Sequence, residues 1–300
     1  MTSVVEILAL KRERDAVILA HNYQIAPVQE AADLVGDSLE LSRAAARLEA
    51  DVIIFCGVDF MAETAAILSP DKTVVLPAAG AFCPMAHMID AEQLRDMKSL
   101  YPEAAVVCYV NSTAEVKAES DICCTSANGV QVVASLEEKE VIFVPDGNLA
   151  AYVARFTRKL IIPWNGYCYV HDRFRAEDVH AARRLHPDAE VLVHPECRPE
   201  VIDLADYVYS TSGMSRHAMK SEGREFVIGT EVGMIYRLKK DSPEKEFYPL
   251  SEKAVCENMK KTDLSMVERA LQTLEPKVRV PGDVAERARK AIERMLEVKI

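Results

Sequence analysis

Three of the eight cysteines in this 300-residue chain recur at matching places in the sequence and could together hold a metal centre. Cys83, Cys168 and Cys256 close the segments TVVLPAAGAFC, KLIIPWNGYC and EFYPLSEKAVC. A structural zinc site usually takes four ligands in close pairs, and the chain has no CxxC pair. An iron–sulfur cube normally takes four cysteines, so three would leave one iron open to act as a Lewis acid. We therefore predict one 4Fe–4S cluster held by these three cysteines.

The other five cysteines lack this repeated position. Cys56, Cys108, Cys123 and Cys124 lie in or just beyond strand-like runs with apolar neighbours. A thiol in such surroundings behaves as a small apolar side chain, and we expect these four to be structural. Cys197 follows the triplet HPE and is ambiguous, with a structural role favoured.

Polar side chains end a strand-like run in three similar stretches, VILAHNY, VVCYVN and VLVHPE. In each stretch an imidazole or phenol is followed two residues later by a second polar group. The pairs are His21 and Tyr23, Tyr109 and Asn111, and His194 and Glu196. A buried polar group is costly unless it has a purpose, so three aligned pairs indicate a shared functional cavity.

Hydroxyl side chains recur in a second set of segments, ADLVGDS, SDICCTS and ADYVYST. Each segment has an aspartate followed five residues later by a hydroxyl, and the three hydroxyls are Ser38, Ser126 and Thr211. We expect these hydroxyls to be the N-caps of helices. A helix N-terminus with a hydroxyl also binds anions, so three of them would suit a polyanionic substrate.

The elements that must position these residues are themselves repeated. His21 and Tyr109 are 88 residues apart, and Tyr109 and His194 are 85 residues apart. A further run recurs at the same offsets as IIFCGVD, VIFVPDG and FVIGTEV, each followed by a helical pattern. Alternating strands and helices predict an α/β fold with parallel sheets, whose functional groups collect at the carboxyl ends of the strands.

We therefore predict three homologous αβα units with approximate threefold symmetry around one central cavity. Their bounds are 1–84, 85–170 and 171–256. Residues 257–300 should form two amphipathic helices, at about 263–274 and 282–297, that pack on the first unit.

Composition excludes several other classes of protein. A net charge of −11 argues against a nucleic-acid partner, which requires a basic surface. No apolar run is long enough to span a bilayer, and MTSVVEILALKRERD has charges after its apolar part, unlike a signal peptide. These features predict a soluble, cytoplasmic protein.

Several segments together resemble the quinolinate synthase family along nearly the whole chain. They are LAHNYQ, GDSLELSRAA, GVDFMAETAAIL, YVNSTAEVKAESD, CTSAN, HPEC and IGTEVGMI. The resemblance implies a triangular protein of three αβα domains with a central 4Fe–4S cluster, whose ligands fall on Cys83, Cys168 and Cys256. It also implies an enzyme of NAD biosynthesis that condenses iminoaspartate with dihydroxyacetone phosphate to quinolinate, releasing phosphate and water.

The resemblance also implies roles for the polar residues. Its substrate contacts fall on His21, Ser38, Tyr109, Asn111, Ser126, His194, Glu196 and Thr211. Catalytic roles fall on Glu196, His194, Tyr23 and Tyr109, with Glu196 and His194 placed for proton transfer. An iminoaspartate-producing enzyme would be the functional partner. Some relatives carry a C-terminal CxxC pair, which is absent here because Cys256 is followed by Glu257, Asn258 and Met259.

Two other functions remain open from the residues alone. Hydroxymethylbutenyl diphosphate reductase and the diphthamide-forming radical enzyme also gather three cysteines from three domains, although their motifs differ from HPEC and CTSAN. A non-enzymatic iron–sulfur sensor or carrier is the other alternative. A carrier would be expected to have four cysteine ligands and would not need three anion-binding hydroxyls.

Overall fold

The first sheet shows the arrangement that the whole chain repeats. The computed structural model describes residues 4–299. The first sheet is parallel with strand order β2-β1-β3-β4, and its strands are β1 (Ala16–His21), β2 (Leu34–Gly36), β3 (Val52–Cys56) and β4 (Thr73–Val75). Its helices are α1 (Val4–Glu13), α2 (Ala26–Ala31), α3 (Ser38–Ala45) and α4 (Asp59–Leu68).

The second and third sheets have the same parallel order. The second has β5 (Ala105–Tyr109), β6 (Ile122–Cys124), β7 (Glu140–Val144) and β8 (Leu160–Pro163), ordered β6-β5-β7-β8. The third has β9 (Glu190–Val193), β10 (Tyr207–Val208), β11 (Glu225–Gly229) and β12 (Glu246–Pro249), ordered β10-β9-β11-β12. The predicted α/β fold is confirmed. The threefold symmetry and the bounds of the units stay predictions.

The helices of the second and third sheets follow the same plan. Those of the second are α5 (Ala91–Leu100), α6 (Ala114–Ala118), α7 (Gly129–Ser135) and α8 (Gly147–Ala154). Those of the third are α9 (Ala176–Leu185), α10 (Pro199–Ile202), α11 (Thr211–Lys220) and α12 (Gly233–Asp241). Short 3₁₀ turns at Pro84–His87 and His171–Arg173 follow the first two of the three repeated cysteines.

The aspartate of the second repeated segment has the same structural role in all three sheets. Its carboxylate accepts a hydrogen bond from a backbone N–H of the neighbouring first strand at 2.7–2.8 Å. The bonds are Ile18 N–H to Asp33, Val106 N–H to Asp121 and Val191 N–H to Asp206. Each aspartate therefore closes the ladder at the entry to the second strand, which explains its fixed place in the repeat.

The central strands are buried along their lengths. Every residue of β3 and of β5 is buried, and both read as continuous apolar runs rather than alternating ones. This pattern is expected for parallel strands covered on both faces. Polar side chains follow the carboxyl ends of β1, β5 and β9, among them Asn22, Asn111 and His194.

The C-terminal segment forms the two expected helices, α13 (Leu264–Thr273) and α14 (Gly282–Glu297). Helix α13 packs against α1 and α2 of the first sheet, in agreement with the expectation. Helix α14 instead packs mainly on α6 and β6 of the second sheet and also touches α4. It therefore bridges two sheets. None of the helices in the described part of the chain has the length and apolar character needed to cross a membrane.

Candidate active site

A cavity lies at the carboxyl ends of the strands and is lined from all three sheets. Every residue predicted to act in the site lines this cavity. They are His21, Tyr23, Ser38, Cys83, Tyr109, Asn111, Ser126, Cys168, His194, Glu196, Thr211 and Cys256. The structure thus brings together side chains that are far apart in the sequence.

The three repeated cysteines lie on loops that follow the fourth strand of each sheet. All three are half-buried and unpaired. Burial raises the pKa of each thiol, and the other thiols contribute in the same direction for Cys83 and Cys168, so the sulfurs lie within electrostatic range of one another. A buried thiolate here would need a positive partner.

Acidic side chains at the ends of third strands hold two of the cysteine loops in place. Asp59 accepts a hydrogen bond from the Cys83 backbone N–H at 3.1 Å. Glu231 accepts one from the Cys256 backbone N–H, also at 3.1 Å, and pairs with the Lys260 ammonium at 2.9 Å. Both loops are therefore fixed by the protein's own hydrogen bonds.

Glu196 is a buried acid of the cavity, and each of its carboxylate oxygens has a close partner. Its carboxylate accepts from the Tyr109 hydroxyl at 2.5 Å, and its second oxygen lies 2.6 Å from His171 Nδ1. Burial alone would raise the pKa of this carboxyl, but His171 and the hydrogen bonds from His171 and Tyr109 outweigh it and lower the pKa. Glu196 is therefore ionised at neutral pH.

A chain of hydrogen bonds leads from Glu196 to the other side of the cavity. His171 Nε2 lies 2.7 Å from the Thr230 hydroxyl, which lies 2.6 Å from the Tyr23 hydroxyl. One consistent proton order has Tyr23 donating to Thr230, Thr230 donating to His171 Nε2, and His171 Nδ1 donating to Glu196. This order connects a phenol to a carboxylate without an unsatisfied group.

His21 and His194 have equivalent surroundings in the first and third sheets. The backbone N–H of Tyr23 donates to His21 Nδ1 at 3.2 Å, and that of Glu196 donates to His194 Nδ1 at 3.3 Å. Burial lowers the pKa of both imidazoles to about 3, so both are neutral. Because Nδ1 accepts, the proton is on Nε2, and each ring carries one N–H donor.

The phenols of Tyr23 and Tyr109 are proton donors rather than phenolates. Burial, followed by the negative charge of Glu196, raises the pKa of both well above the usual value. Each hydroxyl therefore keeps its proton at neutral pH.

The predicted hydroxyls line the cavity, but the expectation that they are N-caps is wrong. Asp37 caps α3 by accepting from Leu39 and Glu40 N–H groups, and Ser210 caps α11 by accepting from Gly213 N–H. In both helices the N-cap, which has an extended backbone, is the residue before the predicted hydroxyl. Ser38 and Thr211 are instead the first helical residues, and Ser126 lies two residues before Asn128, the residue that precedes α7.

Several polar groups of the cavity are available to a ligand. Thr211 Oγ1 accepts from the Asn22 amide at 2.8 Å, which leaves its own O–H to donate. The side-chain oxygen of Asn111 is buried without a hydrogen-bond partner in the described structure. A buried unpaired polar atom is costly, so this oxygen points to a bound group. Within residues 4–299, no lysine or arginine lines the cavity.

One group of donor atoms in the cavity could hold a metal ion. Donor atoms of Cys168, His171 and Glu196 all lie within 4.8 Å of one another. His171 Nδ1 is 3.2 Å from Cys168 Sγ as well as 2.6 Å from Glu196. The group shares Cys168 with the three repeated cysteines.

His171 and Thr230 are the site residues that the sequence reasoning missed. His171 follows Cys168 by three residues, whereas the other two copies have Ala86 and Met259 there. A search for residues that recur in all three copies therefore misses His171. The available signal was a histidine three residues after a cysteine. Thr230 lies in the IGTEVGMI segment with no polar counterpart in the aligned copies, Gly57 and Pro145.

The comparisons with known proteins agree along the whole chain. The family model described as quinolinate synthetase A protein matches residues 5–297. A quinolinate synthase of Methanoregula boonei is 63% identical over 97% of this chain and 96% of that protein. One from Dehalococcoides mccartyi is 56% identical over 98% and 97%, and one from Pyrococcus abyssi is 55% identical over 99% and 100%.

Proposed function

Because the chain belongs to the quinolinate synthetase A family, we propose that the cavity is the site where iminoaspartate and dihydroxyacetone phosphate condense to quinolinate. The enzyme is a quinolinate synthase of NAD biosynthesis. The observation that carries the site assignment is the convergence of all twelve predicted side chains on one cavity.

We assign the cofactor to the three repeated cysteines. Cys83, Cys168 and Cys256 supply unpaired thiols from three loops, and within residues 4–299 no lysine or arginine lines the cavity to balance buried thiolates. This donor set fits a 4Fe–4S cluster with one open iron. When bound, the cluster supplies a Lewis acid that polarises a substrate oxygen and assists loss of hydroxide.

His171 and Glu196 are better assigned to proton transfer than to a separate metal ion. In the proton order given above, His171 Nδ1 donates to Glu196 and Nε2 accepts from Thr230, so both ring nitrogens have partners. Tyr109 uses the other oxygen of Glu196. A nitrogen that donates a proton cannot also bind a metal.

Glu196 is proposed as the general base. It is ionised and lies in the cavity beside His194, so it can take a proton from a substrate carbon or nitrogen. The path through His171 and Thr230 to Tyr23 then links the base to a proton donor on the opposite wall.

Neutral donors are proposed to hold the anionic groups of the substrates. His21 and His194 offer Nε2–H groups, and Ser126, Thr211 and Asn111 offer hydroxyl or amide groups. Helices α3 and α11 begin at Ser38 and Thr211, so the positive ends of their dipoles also favour carboxylate or phosphate. Uncharged donors suit a site that must release its product.

The chemistry of iminoaspartate indicates which enzyme must work beside this one. An imine of this kind hydrolyses in water, so an iminoaspartate-producing enzyme is the proposed functional partner. Eight unpaired cysteines are typical of a reducing compartment, which supports the proposed cytoplasmic location.

The test is anaerobic turnover. Protein purified without oxygen is assayed for iron and sulfide, then mixed with dihydroxyacetone phosphate and iminoaspartate generated from oxaloacetate and ammonia. We expect pyridine-2,3-dicarboxylate by mass spectrometry. Protein that holds the cluster yet yields no product would contradict the proposed function and favour a sensor or carrier.

A further inference from the structure

The reacting groups of the cavity are almost completely closed off from solvent. Glu196, His194 and Thr211 are 3%, 4% and 2% exposed. Substrates with phosphate and carboxylate groups must nevertheless reach them. The three sheets meet along three seams, and we compare these seams as routes between solvent and the cavity.

Side chains bridge the seam between the first and third sheets near the cavity. Asn22 donates to Thr211 at 2.8 Å, and Ser210 donates to Asp37 at 3.3 Å. Ser212 donates to Glu40 at 2.6 Å a little further out. A substrate using this seam would have to break several buried hydrogen bonds.

Side chains also bridge the seam between the first and second sheets. The buried Lys117 ammonium donates to Thr64 at 2.9 Å and to the Phe60 carbonyl at 3.3 Å. Glu63 accepts from the Ala114 backbone N–H, and α14 packs across both α4 and α6. A substrate using this seam would have to part these contacts.

A groove lies along the seam between the second and third sheets. Arg155 and Asp203 bridge this seam with an ion pair at 2.6 Å, but the groove remains open. Ser126 lines both the groove and the central cavity. Pro195 lines the groove, whereas its two chain neighbours, His194 and Glu196, line the cavity, so the intervening wall is thin.

The groove has a charge that suits anions. Arg216 is the one charged side chain among the residues that line it within residues 4–299. In a protein of net charge −11, a groove whose single charge is positive will favour anions over its surroundings. Arg216 is 3.4 Å from Glu40, with side chains 54% and 42% exposed, so this pair is weak and the guanidinium can turn to a ligand.

We propose that the seam between the second and third sheets is the route by which the anionic substrates enter and the product leaves, and that Arg216 attracts them to its mouth. The proposal rests on the proposed function because it assumes anionic substrates. It adds a steering role for a residue outside the catalytic cavity.

The first test places a bulky side chain in the groove. Gln131 lies exposed on α7 and lines the groove, whereas Ala134 is exposed on the same helix and does not line it. Quinolinate binding to the cluster-loaded enzyme is followed by stopped-flow absorbance. We expect Gln131→Trp to lower both the association and dissociation rates about tenfold and leave Kd within about twofold. Ala134→Trp should match the wild type.

This pattern separates a route from a binding site, because a damaged site would change Kd. Equal rates for Gln131→Trp and Ala134→Trp would overturn the proposed route. So would a change in Kd without a parallel change in both rates.

The second test removes the charge. We expect Arg216→Gln to lower kcat/KM about three- to tenfold at low salt with kcat unchanged, and the difference to vanish at high salt because exposed charges are screened. Arg183→Gln is the matched control, since Arg183 forms an exposed ion pair with Asp206 at 2.9 Å on the outer side of the third sheet.

The same kcat/KM and salt dependence for Arg216→Gln and Arg183→Gln would contradict the steering role. Failure of the proposed function is distinguishable, because the wild-type enzyme would then make no quinolinate. The route fails when the wild type makes quinolinate and the groove variants behave as their controls do.

Discussion

The loops after the fourth strands and the interiors of the sheets both contain cysteine, but the two regions give the thiol different surroundings. Cys83, Cys168 and Cys256 are half-buried at the edge of the cavity. Cys56, Cys108, Cys123, Cys124 and Cys197 are each 0% exposed and belong to the apolar cores. Burial and access to the cavity therefore separate the two groups.

The backbone around the two groups differs in the same sense. Cys108 and Cys123 are partners in the register between β5 and β6, so their backbone groups belong to the sheet. The Cys83 and Cys256 backbone N–H groups bond to carboxylates instead. A cysteine on a tethered loop can turn its sulfur to a shared cavity, whereas a cysteine in a ladder is confined to its core.

The sharpest way to break this comparison is to remove one loop thiol. We expect Cys83→Ala to lower bound iron and sulfide to background and to lower turnover more than about 1,000-fold, because two thiolates cannot hold the cube. Iron and sulfide analysis of anaerobic protein, together with the quinolinate assay, checks this. A fully loaded, active Cys83→Ala enzyme would end the assignment.

The next variant keeps the loops and removes the base. We expect Glu196→Gln to retain its cluster and lower kcat about 100- to 10,000-fold, the range for a general acid–base group. Comparing kcat with iron content isolates the chemical step. Full turnover with a full cluster would show that Glu196 is not the base.

A smaller effect is expected from the hydroxyl between His171 and Tyr23. Thr230→Val keeps the shape of the side chain but removes the atom that both neighbours bond to. We expect kcat to fall about tenfold with unchanged cluster content, and Thr230→Ser to restore most of it. Equal activity in the Val and Ser variants would remove Thr230 from the proton path.

The buried histidines of the cavity should also make the stability of the protein depend on pH, whereas the apolar cores should not. His21 and His194 have folded-state pKa values of about 3 against 6.5 unfolded, so the unfolded chain binds more protons between these values. Stability is fully present above pH 6.5 and falls as pH is lowered, by about 1.4 kcal/mol per pH unit for each imidazole. Urea unfolding of the protein without cluster at pH 7 and pH 5.5 measures the slope.

His21→Asn is the control for that slope, because its side-chain oxygen can still accept from the Tyr23 N–H. We expect the loss of stability between pH 7 and pH 5.5 to be smaller in this variant. An unchanged slope would mean that His21 does not titrate as described.

The smallest effect is expected in the sheet interior. Cys123→Ala removes a buried sulfur from β6 and should lower the free energy of unfolding by about 1–2 kcal/mol, while cluster content and turnover stay at wild-type values. Urea unfolding and the quinolinate assay test both parts. Loss of iron from this variant would contradict the assignment of Cys123 to a purely structural role.

The repeat explains how much of the molecule was predictable from sequence. Asp33, Asp121 and Asp206 occupy one place because each bonds to a first strand, and that regularity marks the sheets and their carboxyl ends. His171 is outside the repeat, since only the middle copy has a side chain there that reaches Glu196.

Details that depend on local backbone or on packing were not predictable in the same way. The caps fall on Asp37 and Ser210 because the extended residue comes one position before the predicted hydroxyl. The contact of α14 with β6 depends on tertiary packing, which an amphipathic pattern does not specify.

The carboxylates of Asp59 and Glu231 have a consequence for repair of the enzyme after oxidative damage. They shape the Cys83 and Cys256 loops through bonds to the backbone, so loop geometry does not depend on what the sulfurs hold. If these cysteines hold a 4Fe–4S cluster as proposed, an enzyme molecule that loses its iron to oxygen keeps the Cys83 and Cys256 loops in place for a new cluster. We therefore expect that iron and sulfide can rebuild the cluster in the folded protein and restore its activity.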